Sequence, residues 1–294
     1  MTDRRVGVLG ATSMVGESLL PLLAHADWQV TAFSRRAFNR VGDDVVWRQI
    51  NPASSPLASP LAEEAYIPNW ICIAPIWTLP NYFSLLEGYG ARRVVALSST
   101  SRFSKRKSSD PDERALAHRL DDAEAKLCAW AKSRGVEWTI LRPTLIYGRG
   151  RDKNLSEIAR WIRRFGFFPL FGRGMGLRQP VHVTDVAAVC LAALTTTGAR
   201  NRDYNISGAE TLPYREMVSR VFAALGRRPR FLVVPLGVFK LALIVLRLFP
   251  RYRHWSVAMA ERMNRDLVFD HSDAVREWGF LPHLFHLSAE DLAE

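Results

Sequence analysis

Residues suited to phosphate binding follow the first apolar run of the chain. Gly10 and Gly16 bracket the turn Gly10-Ala11-Thr12-Ser13-Met14-Val15-Gly16, directly after residues 6–9. Gly10 permits a sharp turn, and Gly16 permits close packing of the next helix on the strand. The free N–H groups and positive dipole end of that helix then face the turn, where they bind a pyrophosphate. Ser13 stands where the usual spacing has a third glycine, so an ordinary strand–helix turn is the alternative.

A second predicted strand, residues 28–33, ends in Ser34-Arg35-Arg36. In dinucleotide-binding folds an acidic residue at this strand end accepts hydrogen bonds from the adenosine ribose. This chain has a hydroxyl and two guanidinium groups there, which suit the 2′-phosphate of NADP. The pattern therefore favours NADP over NAD, with a solvated pair of charges as the alternative.

Two further strand ends carry small or hydroxyl side chains. Ala74-Pro75 ends the buried run 69–73, and Ser98-Ser99-Thr100-Ser101 follows the run 93–97. Because strands alternate with helical patterns, the sequence predicts an α/β fold with a doubly wound, Rossmann-like parallel sheet. Right-handed crossovers place the carboxyl ends of the strands at one edge, where ligands bind. We therefore expect all four segments to meet at a single site.

Composition narrows the class of protein. The chain has 294 residues, a net charge of +11 and three scattered cysteines. The cysteines lack metal-ligand spacing, which predicts reduced core residues, no metal site and a cytoplasmic location. Nucleic acid is not a predicted partner, since no basic array interleaved with aromatic residues occurs. An anionic cofactor, an anionic substrate or a lipid surface accounts for the charge.

Longer motifs in the middle of the chain are more specific. They are Leu141-Arg142-Pro143-Thr144-Leu145-Ile146-Tyr147-Gly148, Val181-His182-Val183-Thr184-Asp185-Val186-Ala187 and Tyr204-Asn205-Ile206-Ser207-Gly208. With the glycine turn and the Ser98-Ser99-Thr100 strand end, they resemble the short-chain dehydrogenase/reductase superfamily. The likeness is to its extended or atypical branch, the NAD(P)-dependent epimerase/dehydratase-like proteins.

The resemblance implies a domain organisation. A dinucleotide-binding core is expected over residues 1–150, followed by a smaller C-terminal substrate lobe. Within residues 151–294, the segment 178–206 is expected to return to the core. Residues 151–177 and 207–294 are then expected to form the lobe.

The resemblance also implies roles for individual residues. Thr100 aligns with the catalytic Ser/Thr of the superfamily. The expected cofactor contacts in the glycine turn are Gly10, Thr12, Ser13, Met14, Val15 and Gly16. The other expected cofactor contacts are Ser34, Arg35, Arg36, Ala74, Pro75, Ile76, Ser98, Ser99, Pro143, Thr144 and Leu145.

One departure from the superfamily concerns the catalytic pair. Active members carry Tyr-x-x-x-Lys on the helix after the hydroxyl strand end, and the Lys lowers the pKa of the proton-exchanging Tyr. With Glu124 in the acidic position eight residues after the Tyr, Leu116 and Leu120 occupy the two positions. No Tyr-x-x-x-Lys occurs in the chain. His118 is the candidate replacement because imidazole titrates near neutrality, with a surface or packing role as the alternative.

The second half offers candidates for substrate and surface contacts. Arg173 and Arg178 are predicted to bind an anionic group of the substrate, with loop arginines that pair with nothing as the alternative. Residues 236–249 form a predicted apolar helix too short to span a bilayer. Its expected roles are packing in the lobe, contact in a homodimer, or contact with the inner face of an anionic membrane.

These observations leave competing functions. The first is an NADP-binding epimerase/dehydratase-like or reductase enzyme with a non-standard catalytic set. Its small-molecule substrate would be a nucleotide sugar or a lipid-linked carbonyl or hydroxyl compound. The second is a non-catalytic NADP(H)-binding sensor or assembly protein. The third is a redox enzyme that works at a membrane surface.

Overall fold

The computed structural model describes residues 4–35, 45–50, 66–239 and 257–292. Within them, a seven-stranded parallel sheet has the order β3-β2-β1-β4-β5-β6-β11. Its strands are β1 (Arg5–Leu9), β2 (Gln29–Ser34), β3 (Val45–Gln49), β4 (Asn69–Cys72), β5 (Arg93–Leu97), β6 (Glu137–Pro143) and β11 (Arg202–Ile206). The strand order reverses between β1 and β4. The predicted α/β, doubly wound parallel sheet is confirmed.

Helices cover both faces of this sheet. The helices of the described residues, including those of the lobe, are α1 (Met14–His25), α2 (Phe83–Gly88), α3 (Ser101–Ser104), α4 (Pro111–Arg134), α5 (Leu155–Phe165), α6 (Val183–Thr195), α7 (Tyr214–Ala224), α8 (Val257–Arg262) and α9 (Ser272–Trp278). A 3₁₀ helix, Ile76–Tyr82, precedes α2. On one face α1 and α6 pack over Val8 and Ile71. On the other face α4 and the 3₁₀ helix pack over Trp70 and Ile140.

A third apolar cluster forms the lobe beside the sheet. Helices α5 and α7 bury Ile162 and Phe222 there, together with Phe285 from the last described segment. Short strand pairs complete the lobe and its connections: β7 (Ile146–Tyr147) with β10 (Val181–His182), β9 (Leu177–Arg178) with β12 (Leu212–Pro213), and β8 (Phe168–Phe171) with β13 (Phe231–Val234). Helix α6 and β11 pack with the core, and so do Ala274 and Phe280 from the C-terminal region.

Three local elements lie outside the motifs that the sequence analysis used. The aromatic, glycine-rich segment 167–176 contains β8, which pairs in parallel with β13. A short helix, α3, precedes the polar, basic segment that leads to α4. Helix α6 begins at Val183 with His182 as its N-cap, so Asp185 lies in its first turn. A partner distant in sequence decides the first of these elements, and a side-chain cap fixes the start of α6.

Candidate functional site: the carboxyl edge of the parallel sheet

The glycine turn lies between β1 and β4 at the carboxyl edge. Gly10 has φ +89°, a region that L side chains rarely adopt. A Cβ at Gly10 would lie 2.5 Å from the backbone nitrogen of Ala74. A Cβ at Gly16 would lie 2.3 Å from the carbonyl oxygen of Ala11. Both glycines are therefore required for the close packing of β1, β4 and α1.

Helix α1 starts at this turn and is capped by the turn itself. The Ser13 side chain accepts a hydrogen bond from the Gly16 N–H at 3.1 Å. The serine that replaces the third glycine of the motif is thus the N-cap. Thr12 is exposed and Val15 is buried, so Val15 offers only its backbone to a ligand. The first N–H groups of a helix have no acceptor within the helix, which suits an anion at this position.

Two arginines that the sequence analysis missed lie over the same turn. Arg151 Nη2 donates to the Thr12 carbonyl at 3.2 Å, and Arg151 Nη1 pairs with Glu17 at 2.6 Å. Arg149 Nε donates to the Ser18 hydroxyl at 2.9 Å. The sequence Gly148-Arg149-Gly150-Arg151 could have indicated these two arginines, because they follow the short strand Ile146–Tyr147 and are separated by glycines. They add positive charge beside the first turn of α1, partly offset by Glu17.

The candidate adenosine pocket lies at the end of β2. Ser34 ends the strand, and the exposed Arg35 follows it. Burial raises the pKa of the nearby Tyr82 phenol, and the positive charge of Arg35 offsets part of that rise. Arg36 lies outside the described residues. A guanidinium thus stands where an NAD-selective site has a carboxylate.

The end of β4 passes next to Gly10. The Ala74 N–H donates to the Leu9 carbonyl at 3.1 Å, which fixes Ala74 and Pro75 at the edge between β1 and β4. Ile76 differs from the expectation. Its side chain is 2% exposed and packs in the core cluster with Leu79, so only its backbone can face the cofactor channel.

The hydroxyl side chains that follow β5 have different hydrogen-bond partners. Thr100 is 5% exposed, and its Oγ1 donates to the Pro143 carbonyl at 3.2 Å. Ser99 Oγ accepts from the Ser101 N–H at 3.1 Å. Ser98 Oγ donates to the Glu124 carboxylate. Ser98 therefore belongs to a structural network, and Ser99 and Thr100 shape the loop that leads into α3.

Glu124 is the centre of this network and is 2% exposed. Arg142 donates to it from Nε at 3.1 Å and from Nη2 at 2.6 Å. Arg102 also pairs with Glu124, and Arg142 with Asp203. Burial opposes the charge of Arg142, but its carboxylate partners raise its pKa above the ordinary value. The network ties α4 to the hydroxyl loop and to β6 and β11.

Helix α4 buries apolar residues in the core cluster on one face of the sheet. Leu120 is 3% exposed, and Leu116 packs against the same core cluster. His118 is exposed and lies about 200° around the helix from Leu116. His118 therefore projects from the exposed side of α4, away from the face that carries Leu116 and Leu120. An exposed position on this side does not support His118 as the proton donor.

The segment after β6 connects the core to the lobe. The Thr144 N–H donates to the Ile206 carbonyl at 2.9 Å, and Thr144 Oγ1 donates to the Gln179 carbonyl at 2.5 Å. Pro143 lies opposite Ile206 in the β6–β11 ladder. Leu145 packs against the lobe cluster. These contacts fix the backbone of residues 143–145 at the same edge as Thr100.

The two substrate candidates have different surroundings. Arg173 is exposed in the loop after β8. Arg178 is 5% exposed and donates to the backbone carbonyls of Leu177 at 2.7 Å, Arg265 at 2.9 Å and Arg262. Burial lowers the pKa of Arg178 to about 10. The substrate role expected of Arg178 is corrected: its guanidinium ties β9 to the segment after α8.

His182 and Asp185 hold the C-terminal segment against the core. His182 Nε2 lies 3.1 Å from Asp291 Oδ1, and Asp185 accepts from the His283 N–H at 3.0 Å. The Tyr147 hydroxyl donates to the His286 carbonyl at 3.3 Å. All three side chains therefore contact residues 283–291, which indicates that they anchor this segment.

A polar cavity of about 500 Å³ lies beside β11, four strands from β1. Arg142, Asp203 and His271 line it. His271 Nδ1 lies 2.5 Å from Ser207 Oγ, and burial lowers its pKa. The cavity is separate from the glycine turn, and no sequence pattern indicates it.

Comparison with known proteins identifies a family for the middle of the chain. Residues 81–207 match the family model described as the NAD dependent epimerase/dehydratase family. The match covers less than half of the chain, so the chain is similar to this family over that segment. The matched segment contains the hydroxyl loop, α4, the Glu124–Arg142 pair and β11, which are the elements that build one side of the edge.

Individual relatives are similar over part of their length. The chain is 30% identical over 203 residues to the uncharacterized protein y4nG of Sinorhizobium fredii, covering 66% of this chain and 50% of that protein. It is 32% identical over 111 residues to the NAD(P)H azoreductase of Xenophilus azovorans, covering 37% and 36%. The chain thus spans half or less of the curated relatives it matches.

Solved structures share the fold across the whole chain. The UDP-glucuronic acid 4-epimerase of Bacillus cereus in complex with NAD superposes with a TM-score of 0.70 at 15% identity. The superposition covers 98% of this chain and 95% of that one. At this identity the likeness establishes the epimerase/dehydratase fold alone.

Proposed function

We propose that this epimerase/dehydratase-like chain binds NADP(H) at the carboxyl edge and acts as an oxidoreductase or epimerase on a small molecule. The observation that carries the proposal is the glycine turn. Gly10 and Gly16 remove the side chains that would block the approach of β1, β4 and α1, and the start of α1 faces the same edge. The residues present therefore fit a pyrophosphate at this position.

The proposed preference for NADP rests on Ser34 and Arg35 at the end of β2. An exposed guanidinium pairs with the 2′-phosphate, whereas the carboxylate that binds the ribose of NAD is missing. Arg149 and Arg151 add to the positive charge along the edge. The NAD(P)H azoreductase relative and the NAD-bound epimerase neighbour both support a nicotinamide cofactor of one kind or the other.

The proposed chemistry uses a non-standard catalytic set. The bound nicotinamide supplies or accepts a hydride. Leu116 and Leu120 cannot exchange a proton, so the proton comes from water or from an acidic group of the substrate. Thr100 and residues 143–145 form the wall against which the substrate is positioned. We propose a carbonyl or hydroxyl substrate, for which the epimerase neighbour supports a nucleotide sugar.

Calorimetric titration of the full chain with NADPH and with NADH tests the cofactor assignment. We expect one saturable site that binds NADPH more tightly. Loss of one charge-assisted contact in Arg35→Ala should weaken NADPH binding about tenfold or more and leave NADH binding within about twofold. Arg92→Ala, at an exposed arginine away from the edge, is the matched control. Equal weakening of both cofactors would contradict the role of Arg35.

A non-catalytic NADP(H)-binding role is the second candidate, and the apolar residues at positions 116 and 120 favour it. The similarity to an NAD(P)H azoreductase favours an enzyme. NADPH oxidation across a panel of aldehydes, ketones and nucleotide sugars separates the two. Turnover that survives His118→Ala supports an enzyme with a non-standard proton source. Tight NADPH binding without turnover on any member of the panel supports the second candidate.

A further inference from the structure

One outward face of the lobe brings three aromatic side chains together at the end of α5. Trp161 and Phe165 of α5 have ring centroids 4.6 Å apart. The Phe167 ring lies 6.4 Å from Trp161 and 6.3 Å from Phe165. Trp161 and Phe167 are half-buried, and Trp161 packs against the lobe cluster, whereas Phe165 is 44% exposed. Phe165 is therefore the ring that this cluster offers to a contact partner.

Strand β13 extends this cluster. In the β8–β13 ladder, Phe168 and its partner Phe231 pack in the lobe. Successive side chains of a strand point to opposite faces, so Pro169 and its partner Leu232 lie on the outward face with Phe167. Leu232 is 53% exposed. The outward faces of the two strands therefore add the apolar side chains of Pro169 and Leu232 to the face that carries Phe167.

Arginines surround this surface. The Arg164 guanidinium lies 5.2 Å from the centre of the Phe165 ring. Arg227 Nη1 donates to the Ile162 carbonyl at 2.7 Å, which holds the loop carrying Arg228 and Arg230 beside the end of α5. We define the aromatic–basic face by residues Trp161, Arg164, Phe165, Phe167, Pro169, Arg227, Arg228, Arg230 and Leu232.

The segments that carry the aromatic–basic face contain no acidic residue that could neutralise its arginines. Neither residues 158–184 nor residues 217–260 contain an aspartate or glutamate. Arg164, Arg228 and Arg230 are exposed, and within the described ranges they make no ion pair. The sequence after β13 continues the same apolar and basic composition. Positive charge around exposed aromatic rings is complementary to anionic lipid headgroups above an acyl layer.

We propose that the aromatic–basic face docks the chain onto an anionic lipid bilayer. Phe165 and Leu232 enter the boundary between headgroups and acyl chains, and the arginines contact the phosphates. A second copy of the chain on the same face would oppose arginines to arginines, which disfavours a symmetric dimer through it. In the part of the chain that the structure describes, no helix is long and apolar enough to cross a bilayer. The inference does not rest on the proposed enzymatic function.

Vesicle co-sedimentation of the full chain tests this docking. We expect binding to vesicles with about a third phosphatidylglycerol, weak binding to phosphatidylcholine alone, and loss of binding at about 1 M salt. Arg228→Gln with Arg230→Gln should weaken partitioning about 30-fold, because each surface arginine contributes about fivefold. Phe165→Ser should weaken it about tenfold, since it removes a buried apolar ring.

A matched control removes the same charge elsewhere. Arg92→Gln with Lys132→Gln neutralises two exposed cations on the core, and we expect partitioning within about twofold of the parent chain. Circular dichroism of each variant verifies the fold. Binding that is independent of anionic lipid, or that the control weakens as much, would overturn the proposal. If light scattering shows a dimer that Phe165→Ser breaks, a second copy of the chain occupies the face, and the proposal of lipid docking is overturned.

Discussion

Neutralising Glu124 tests the buried ionic network that links α4 to the hydroxyl loop. Glu124→Gln keeps the shape of the side chain and removes its charge. Arg142, with its side chain 10% exposed, then retains only Asp203, whose side chain is 41% exposed. Breaking a buried ion pair by altering one partner costs about 3–5 kcal/mol of unfolding free energy. We expect about 3 kcal/mol, because Asp203 still compensates part of the Arg142 charge.

The assay is thermal and urea unfolding followed by circular dichroism. For a chain of this size, about 3 kcal/mol corresponds to a decrease in Tm of about 6–12 °C. The control is Asp122→Asn, which removes the same charge from a side chain that is 63% exposed and paired with Lys126. Its unfolding free energy should change by less than about 0.5 kcal/mol. A Glu124→Gln loss as small as that of the control would refute the central position of Glu124.

A double-mutant cycle separates the pair from its surroundings. Arg142→Met with Glu124→Gln removes both charges, so the second substitution should cost less than it does alone. We expect a coupling free energy of about 2 kcal/mol between the two positions, within the range for residues of one network. Additive effects would show that Glu124 and Arg142 act independently.

Two further substitutions follow from the geometry. Gly16→Ala places a Cβ 2.3 Å from the Ala11 carbonyl oxygen, so it should lower Tm and abolish NADPH binding; calorimetry that shows parental affinity would contradict the close approach. Burial raises the pKa of Asp291, but hydrogen bonds from Ser288 and His182 together lower it by more, so the net shift is downward. A lowered folded-state pKa stabilises the folded protein at pH values above the unfolded pKa of about 3.9, and this stabilisation is lost as the pH falls through the folded-state pKa. Asp291→Asn should therefore cost about 1–2 kcal/mol at pH 7 and progressively less as the pH falls below about 3.9 in urea unfolding. A pH-independent cost would contradict the ionic role.

The core fold could be predicted from the sequence because its strands have recognisable local sequence patterns. Runs of buried β-branched and aromatic residues alternate with helical patterns, and most of these strands end at glycine, proline or hydroxyl residues. The family motifs added the segment around Arg142 and β11. Strands β8 and β13 were missed, because their pairing joins residues far apart in sequence and neither has an alternating pattern.

The sequence predicted some site residues and misplaced others, because it does not show where each side chain points. Gly10 and Gly16 could be located because only glycine satisfies the backbone there. Ile76, Ser98 and Arg178 were placed at the site by position, whereas their side chains face the core or bind buried partners. Arg149 and Arg151 were missed, because the fold brings their loop over a helix more than a hundred residues earlier.

Hydrogen exchange of the full chain with and without NADPH tests the central claim directly. If the cofactor lies along the carboxyl edge, amides of residues 10–17 and 73–76 should exchange more slowly when NADPH is bound. The segment after β2 that carries Arg35 should be protected by NADPH more than by NADH. Saturating NADPH that leaves exchange at residues 10–17 unchanged would contradict the account.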